Sequence, residues 1–245
     1  KNKFKVLIGG NIGNPILDLK IKKNSYVVIE ASSFQLSHSK IICPDYAFLL
    51  NITNDHISWH GNMRNYMDSK LKIFMLQKKT QFALVNKKFK KIFKKRNFSS
   101  KLVIPNKKHL QIIKQKIKKN YSELNISDEN IGFVYAFSKL IKINEKIFIQ
   151  SIKSFVGLPH RHEIFLKKNN IVFINDSKAT SFEAAKYALS KSENIFWILG
   201  GLPKKNDKII LSKIKSNIIK CYLIGRNINF FKKQIKNKIN FSITK

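Results

Sequence analysis

Cysteines, arginines and acidic residues are scarce in this 245-residue chain, which has two cysteines, four arginines and 14 aspartates and glutamates. Two cysteines, Cys43 and Cys221, are too few for a disulfide framework or a zinc cluster, so we interpret both as buried free thiols in a reducing cytoplasm. No apolar run approaches the length of a membrane span, and no secretory leader is visible. These absences favour a cytoplasmic protein without membrane insertion.

The shortage of acidic residues leaves a formal net charge of +34, carried by 44 lysines and 4 arginines. Proteins that read nucleic acid favour arginine, because its planar guanidinium pairs bidentately with phosphate and guanine. Here lysine is spread over the whole chain together with isoleucine and asparagine, as a codon bias toward A and T would produce. We expect a surface that attracts polyanions at low salt but has no specific nucleic-acid partner.

Short apolar runs alternate with polar or glycine-rich segments and helical stretches. Runs that are apolar on both faces and separated by helices are typical of a parallel sheet covered on both sides, so the predicted fold class is α/β. The predicted strands are Lys5–Ile8, Tyr26–Ile29, Tyr46–Leu50, Phe82–Val85, Ile171–Ile174, Ile195–Leu199 and Cys221–Ile224. Residues 87–120 are lysine-rich and weakly periodic, and no elements are predicted there.

Polar or glycine-rich clusters follow five of these runs. Because ligands bind beyond the carboxyl ends of parallel strands, the clusters are expected to converge on one edge and form one site. They are Gly9–Gly13, Glu30, Asn51–His56, Asn175–Lys178 and Gly200-Gly201. The segment Gly157–Arg161 interrupts the pattern and predicts a boundary between two domains, residues 1–156 and 157–245.

Two helices are predicted from local signals near the first clusters. Asn14 followed by Pro15 indicates a helix start. A second helix, near Asn62–Leu76, places apolar side chains on one face, namely Met63, Tyr66, Met67, Leu71 and Phe74. Lys70 falls inside this stripe, where it must reach solvent or lose its charge, because desolvation disfavours the ammonium form.

Five stretches of the chain, in the same order, resemble the D-glutamate-adding members of the Mur ligase family. The stretches are the glycine loop Gly9–Gly13, Glu30–Leu36 (EASSFQL), Asn51–His56 (NITNDH), Leu158–Glu163 (LPHRHE) and Asn175–Thr180 (NDSKAT). The Asn-x-Thr-x-Asp-His element is shared by related amide ligases, whereas the Ser-Ser-Phe-Gln-Leu and Leu-Pro-His-Arg runs are more particular to the D-glutamate-adding members.

The resemblance implies a truncated piece of a three-domain enzyme. The chain would hold an incomplete central ATPase domain with a parallel sheet, followed by a partial Rossmann-like domain. It has no Gly-Lys-Ser/Thr phosphate loop, so independent catalysis is expected to be impaired or lost. The activity implied is ATP-dependent ligation of D-glutamate to UDP-N-acetylmuramoyl-L-alanine through an acyl phosphate, in peptidoglycan precursor synthesis, by a monomer in the cytoplasm.

The resemblance also implies roles for particular residues. Glu30, His56 and Lys70 would hold Mg²⁺, and Lys70 would carry a carboxyl group taken from carbon dioxide. Catalytic roles fall to Lys70, His56 and Lys178. ATP would contact Asn130, at the start of a helix predicted over Asp128–Ile143, together with Arg161 and Asp176. The substrate-binding residues would be Asn11, Ser32, Lys178, Thr180 and Lys204.

Three other functions stay open as alternatives. A lysine-rich nucleic-acid-binding module would account for the charge, and a non-catalytic remnant of a ligase would account for the missing phosphate loop. A nucleotide-dependent oxidoreductase would suit a Rossmann sheet, but no Gly-x-Gly-x-x-Gly turn opens a helix after the first strand.

Overall fold

The computed structural model describes residues 4–53, 55–117, 126–204, 207–212 and 214–244. Within these ranges the chain divides into two compact units, which join in sequence between Lys153 and Ser154. Each unit has its own hydrophobic core. The predicted bounds of the functional domains, residues 1–156 and 157–245, stay a prediction.

The described strands of the first unit are all parallel to their neighbours. β1 (Lys5–Gly10) pairs with β2 (Ser25–Glu30), whereas β3 (Tyr46–Leu49), β4 (Phe82–Val85) and β5 (Lys101–Val103) form a second ladder in the order β3-β4-β5. Parallel strands need long crossover connections, which helices supply. The predicted α/β class is confirmed, but hydrogen bonding divides the strands of this unit between two ladders instead of one sheet.

The helices of the first unit lie between or after these strands. They are α1 (Ser33–His38), α2 (Ile57–His60), α3 (Met63–Leu71), α4 (Lys90–Lys95), α5 (Lys107–Ile117), α6 (Asp128–Leu140) and α7 (Glu145–Lys153). Asn62 caps α3 by accepting a hydrogen bond from the Asn65 backbone N–H at 2.9 Å. Residues 87–117, for which the sequence predicted nothing, thus contribute α4, β5 and α5. No helix in the described ranges is long and apolar enough to cross a membrane.

The core of the first unit surrounds β4. Three of its residues, Ala83, Leu84 and Val85, are 0% exposed, as expected for the central strand of a covered parallel sheet. Phe74 is also 0% exposed, and its ring centroid lies 5.2 Å from that of Phe93.

The apolar stripe predicted near Asn62–Leu76 is largely confirmed. Tyr66, Leu71 and Phe74 are buried, and Met67 packs partly buried against the same core. Met63 was wrongly included: its side chain is 41% exposed at the first position of α3.

The second unit begins with an antiparallel hairpin and continues with a parallel sheet. The hairpin consists of β6 (Glu163–Lys168) and β7 (Ile171–Asn175). After α8 (Phe182–Lys191) come β8 (Ile195–Gly200), β9 (Ile218–Ile224), α9 (Ile228–Ile235) and β10 (Phe241–Ile243), with the sheet order β10-β9-β8. The alternation of parallel strands and helices is the predicted α/β pattern.

The run Ile171–Ile174 was wrongly predicted to join a parallel sheet. Asn169 and Asn170, between β6 and β7, have φ angles of 50° and 60°. Two central residues at positive φ form the turn whose twist suits a two-residue hairpin, and asparagine tolerates this conformation better than most residues. The turn reverses the chain directly, so β7 pairs antiparallel with β6.

Two local predictions were wrong. Asn14 does not start an α-helix: its carbonyl accepts a hydrogen bond from Gly10 N–H at 2.9 Å, and only the short 3-10 turn Ile16–Asp18 follows. Cys221 is buried as predicted, but Cys43 is exposed, because it lies in the loop that precedes β3.

Glu145 at the start of α7 is hydrogen-bonded to side chains of α5 and α6, and its position leads us to expect a pH dependence of stability. Its carboxylate accepts hydrogen bonds from Lys116, from Lys139 at 3.2 Å and from the Tyr135 hydroxyl at 3.0 Å. These hydrogen bonds, of which the one from Lys116 has the largest effect, lower the Glu145 pKa from 4.5 to about 2. A carboxylate whose pKa is lower in the folded than in the unfolded state stabilises the fold fully above its unfolded-state pKa. This stabilisation is lost as the pH falls toward the folded-state pKa. We expect the melting-temperature difference between the native chain and Glu145→Gln to shrink between about pH 5 and pH 2.

The control for this measurement is Glu183→Gln, which removes an exposed carboxylate 3.9 Å from Lys186. An exposed pair of this kind contributes little, so its variant should melt like the native chain at every pH. A Glu145→Gln difference that stayed constant as the pH fell would contradict the prediction.

Candidate active site

The carboxyl ends of β1 and β2 lie side by side and join two predicted site residues, Asn11 and Glu30. Gly10 pairs with Glu30 in register, and the backbone N–H of Asn11 donates to the Glu30 carbonyl at 2.7 Å. Asn11 Nδ2 also donates to Glu30 Oε1 at 3.2 Å. Gly10 has a φ of 111°, and a Cβ there would lie 2.4 Å from the Glu30 carbonyl oxygen, so only glycine permits this approach. Both predicted residues are exposed.

Ser32, a predicted substrate contact, caps helix α1 two residues after Glu30. Its hydroxyl oxygen accepts from the Gln35 backbone N–H at 3.3 Å, and its own N–H donates to Gln35 Oε1 at 2.9 Å. This reciprocal pair is a capping box, for which Ser-x-x-Gln is the sequence signal. The cap fixes Ser32 at the strand end, and contact with substrate stays a prediction.

His56 occupies a strained position after the third strand. Its φ is 53°, a left-handed conformation that costs a residue other than glycine of order 1–3 kcal/mol and that concentrates at functional sites. Asp55 Oδ1 accepts from its backbone N–H at 2.9 Å, and Asp55 Oδ2 lies 3.5 Å from its Nε2. The imidazole contacts the Phe34 ring of α1, with centroids 4.8 Å apart, and stays 42% exposed. The side chain is therefore held in place yet open to a ligand.

Lys70 is half-buried on α3 and lies near the same loop. Its Nζ donates to the Asn51 carbonyl at 3.4 Å and lies 5.3 Å from the centroid of the Tyr66 ring. Burial lowers the Lys70 pKa, and the charge of Asp55 partly opposes that shift. The sequence predicted that Lys70 must reach solvent or lose its charge, and the lowered pKa favours the second of these two outcomes. Tyr66 in turn contacts His56, with centroids 6.4 Å apart, so a run of contacts links His56 to Lys70.

His60 is a buried polar residue that our reading of the sequence missed. It is 7% exposed, with Nε2 3.0 Å from Ser33 Oγ and Nδ1 3.4 Å from Ser69 Oγ. Burial lowers the His60 pKa, and the nearby His56 adds a smaller lowering effect. Its position four residues after His56 was the available signal, but nothing local in the sequence shows that this histidine is the buried one.

The donor set suits magnesium if Lys70 is carboxylated. Within the described ranges, no three or more His, Cys, Asp or Glu side chains group closely enough to hold a metal. The predicted set contains two such side chains, Glu30 and His56, and Lys70 is the third member. Mg²⁺ prefers oxygen ligands, which the Glu30 carboxylate offers and a carbamate on Lys70 would add. The ion and the modification both stay predictions.

In the second unit, two motif segments are hydrogen-bonded to each other at one end of the hairpin. Lys178 N–H donates to the His160 carbonyl at 3.0 Å, and His162 N–H donates to Asp176 Oδ1 at 2.8 Å. The exposed Arg161 lies between the two histidines in the chain. These two bonds hold the segment that carries Arg161 against the segment that carries Asp176 and Lys178.

Asp207 is a second residue that the sequence did not indicate. Its two carboxylate oxygens accept from the Phe182 backbone N–H at 3.2 and 3.0 Å, at the start of α8. A carboxylate is favourable there because the helix N-terminus carries partial positive charge. Its own N–H donates to the Lys204 carbonyl at 3.1 Å. Asp207 thus links the backbone of Lys204 to the helix that follows the exposed Thr180.

The predicted ATP-binding residues are divided between the two units. Asn130 is exposed in the first turn of α6, where its N–H donates to the capping Ser127 hydroxyl at 3.2 Å. The helix runs over Asp128–Leu140, close to its predicted extent. Arg161 and Asp176 belong to the second unit. The predicted metal ligands all lie within the first unit, whereas the predicted ATP contacts are divided between the two units. Convergence of all five clusters stays a prediction.

Residues 11–156 match the family model described as the Mur ligase middle domain. The chain belongs to the Mur ligase family. The matched range contains all the residues of the predicted metal set, together with Asn11, Ser32 and Asn130.

Curated relatives of this Mur ligase chain include three bacterial enzymes named UDP-N-acetylmuramoylalanine–D-glutamate ligase. The Rickettsia felis enzyme is 34% identical over 256 residues, covering 96% of this chain and 57% of the relative. The Wolbachia sp. subsp. Brugia malayi enzyme is 33% identical over 295 residues, covering 97% and 59%. The Buchnera aphidicola enzyme is 35% identical over 268 residues, covering 100% and 60%. The chain therefore spans somewhat more than half the length of these relatives.

Solved structures with a similar fold include two proteins named MurF. The Acinetobacter baumannii protein has a TM-score of 0.67 at 14% identity, covering 98% of this chain and 62% of the other. The Thermotoga maritima protein, in complex with ADP, has a TM-score of 0.67 at 16% identity, covering 99% and 65%. At these identities the likeness concerns the fold, and it agrees with the α/β architecture.

Proposed function

We propose that this Mur ligase chain carries the central and C-terminal catalytic segments of an enzyme that joins D-glutamate to UDP-N-acetylmuramoyl-L-alanine at the expense of ATP. The observation that carries the proposal is the half-buried Lys70, with its lowered pKa, in contact with the Asn51–His56 loop. Relatives at 33–35% identity that bear this activity in their names support the choice of substrate.

The chemistry proposed is amide formation through an acyl phosphate. The carboxylate of UDP-N-acetylmuramoyl-L-alanine takes the terminal phosphoryl group of ATP, and the amine of D-glutamate then displaces phosphate. Arg161 suits a phosphate contact because its planar fork donates bidentately. Lys178 would offset negative charge at the transferring group, whereas Thr180 and Lys204 would orient D-glutamate and hold its carboxylate. Asp176 and Asn130 would contact the ribose and adenine of ATP.

The role proposed for Lys70 depends on its neutral form. A neutral amine is nucleophilic, and its nitrogen can bond to the carbon of carbon dioxide with loss of one proton, which leaves an anionic carbamate. Together with Glu30 and His56, the carbamate would hold Mg²⁺, which when bound offsets the negative charge where phosphate and carboxylate meet. Asn11 and Ser32 would contact the substrate at the adjoining strand ends.

The 245 residues contain no Gly-Lys-Ser/Thr phosphate loop, and we propose that this stretch by itself has impaired turnover. We also propose a monomer that works in the cytoplasm with no specific nucleic-acid partner. The four arginines among 48 basic residues support the last point.

The experiment that tests the function combines binding with turnover. The chain is titrated with ATP in the presence of Mg²⁺ and separately with D-glutamate and L-glutamate, by calorimetry. ADP formation is then followed with UDP-N-acetylmuramoyl-L-alanine and either enantiomer. We expect ATP binding, a preference for D-glutamate, and slow ADP formation that requires D-glutamate. Binding of neither ATP nor D-glutamate would contradict the proposal, as would sequence-specific nucleic-acid binding that persists at high salt.

A further inference from the structure

His60 lies buried between the elements that carry the candidate site. Nε2 contacts Ser33, which opens α1 next to Ser32, and Nδ1 contacts Ser69, the residue before Lys70 on α3. The centroids of the His60 and Tyr66 rings lie 5.2 Å apart. The Lys70 Nζ lies over the same Tyr66 ring, 5.3 Å from its centroid. One side chain therefore contacts two neighbours of Lys70 and the helix that begins at the end of β2.

The hydrogen bonds around His60 fix which ring nitrogen carries the proton. The Ser69 hydroxyl has a single hydrogen, which it donates to the Asn65 carbonyl at 2.8 Å. A carbonyl can only accept, so Ser69 Oγ must act as the acceptor toward His60, and Nδ1 must be protonated. In the neutral ring Nε2 is then free to accept the hydrogen of the Ser33 hydroxyl.

A third contact joins α3 to the last residue of α2. Asn65 Nδ2 donates to the His60 carbonyl at 3.0 Å, so the backbone of His60 is also tied to α3. Ser33, His60 and Ser69 are 4%, 7% and 8% exposed. Buried hydrogen bonds of this kind are costly to leave unmade, which favours one arrangement of α1, α2 and α3 over alternatives.

We infer that His60 is a positioning residue, which as its Nδ1–H tautomer sets α3, and with it Lys70, against the Ser32–Ser33 turn. The inference rests on the role proposed for Lys70, and it adds to that role a residue that touches no reacting atom. Of the two ring contacts, the one from Nδ1 to Ser69 reaches α3 directly. That contact should therefore control Lys70, and the contact with Ser33 should matter less.

The tautomer is tested on the native chain by ¹⁵N nuclear magnetic resonance of the histidine rings. Assigned spectra at neutral pH should show His60 with a protonated Nδ1 and an unprotonated Nε2. A proton on Nε2 alone would overturn the inference, because Ser69 would then have to donate to Nδ1 and leave the Asn65 carbonyl without it. This measurement does not depend on any enzymatic activity.

The positioning role is tested by two variants that keep opposite halves of the imidazole. Asparagine places its amide nitrogen close to the position of Nδ1, whereas glutamine reaches the position of Nε2. An amine-reactive reagent, with peptide mass spectrometry, reports the labelling of Lys70 relative to the exposed Lys79. In the His60→Asn variant, we expect the labelling of Lys70 relative to Lys79 to stay near that of the native chain. In the His60→Gln variant, we expect it to rise several-fold. A general loss of packing would raise both alike.

The same variants are then examined for the carbamate, with ¹³C-labelled bicarbonate. Occupancy at Lys70 should fall about tenfold in His60→Gln, the scale usual when a residue that orients a ligand is removed, and remain in His60→Asn. The control is His38→Asn: His38 is an exposed histidine whose ring lies 5.8 Å from that of Trp59, and both readouts should be unchanged.

The outcomes separate this inference from the proposed function. If the native chain forms no carbamate but the labelling still distinguishes the two His60 variants, the role proposed for Lys70 is wrong and the positioning by His60 stands. If His60→Asn and His60→Gln label Lys70 equally, the positioning is wrong, whatever the carbamate shows.

Discussion

Lys70→Ala should lower D-glutamate-dependent ADP formation by at least about 100-fold, the scale on which removal of one preorganised charge-stabilising group acts. The physical reason is that alanine cannot form the carbamate that, with Glu30 and His56, is proposed to hold Mg²⁺. Lys70→Arg should fail equally, because a guanidinium stays protonated and does not react with carbon dioxide. Mass spectrometry under bicarbonate should show the added carboxyl group on the native chain and on neither variant.

Lys79→Ala is the matched control for this loss. Lys79 is exposed in the turn between α3 and β4, so its removal should leave ADP formation unchanged. ATP binding by Lys70→Ala is also compared with that of the native chain, because a variant that merely unfolds would lose both ATP binding and ADP formation. Full activity of Lys70→Ala in a folded protein would remove the basis of the proposed mechanism.

Phe74→Ala should destabilise the first unit by about 3–5 kcal/mol, the range for a buried phenylalanine truncated to alanine. Phe74 is 0% exposed and contacts the rings of Phe93 and Phe98, with centroids 5.2 and 5.6 Å away. The cost combines the lost transfer of the ring from water with the cavity that a close-packed core cannot fill. Lys70 lies four residues earlier, so activity should fall with stability.

The measurement uses the placement of the chain's two tryptophans, Trp59 in the first unit and Trp197 in the second. In a Trp197→Phe background, fluorescence during denaturant unfolding reports on the first unit alone. Met75→Ala is the control, because Met75 is 62% exposed and its truncation should cost little. A Phe74→Ala midpoint equal to that of Met75→Ala would show that the core does not depend on the ring.

Much of the first unit was predictable because its signals are local. β4 is a continuous apolar run, and α3 carries apolar side chains at helical spacing around Lys70, so both follow from patterns within about a dozen residues. The meeting of Asn11 with Glu30 also follows, since parallel strands in register bring their carboxyl ends together. Family resemblance supplied the roles of these residues, which no periodicity contains.

Other features were predictable in principle but were missed. The Asn169-Asn170 turn marks a hairpin, yet the apolar run after it resembles a buried parallel strand, so the wrong partner was chosen. The capping box of Ser32 and Gln35 is likewise a local signal. In both cases the information lay in short polar segments, whereas the interpretation relied on the apolar runs.

The amino-acid order alone settled the α/β class, the positions of most strands and the lysine within an apolar stripe, because each depends on side chains close together in the chain. Only the folded chain could separate the strands of the first unit into two ladders, expose Cys43, and bury His60 between Ser33 and Ser69. Those outcomes depend on contacts between residues far apart in sequence, whose hydrogen bonds and burial form when distant segments pack against one another.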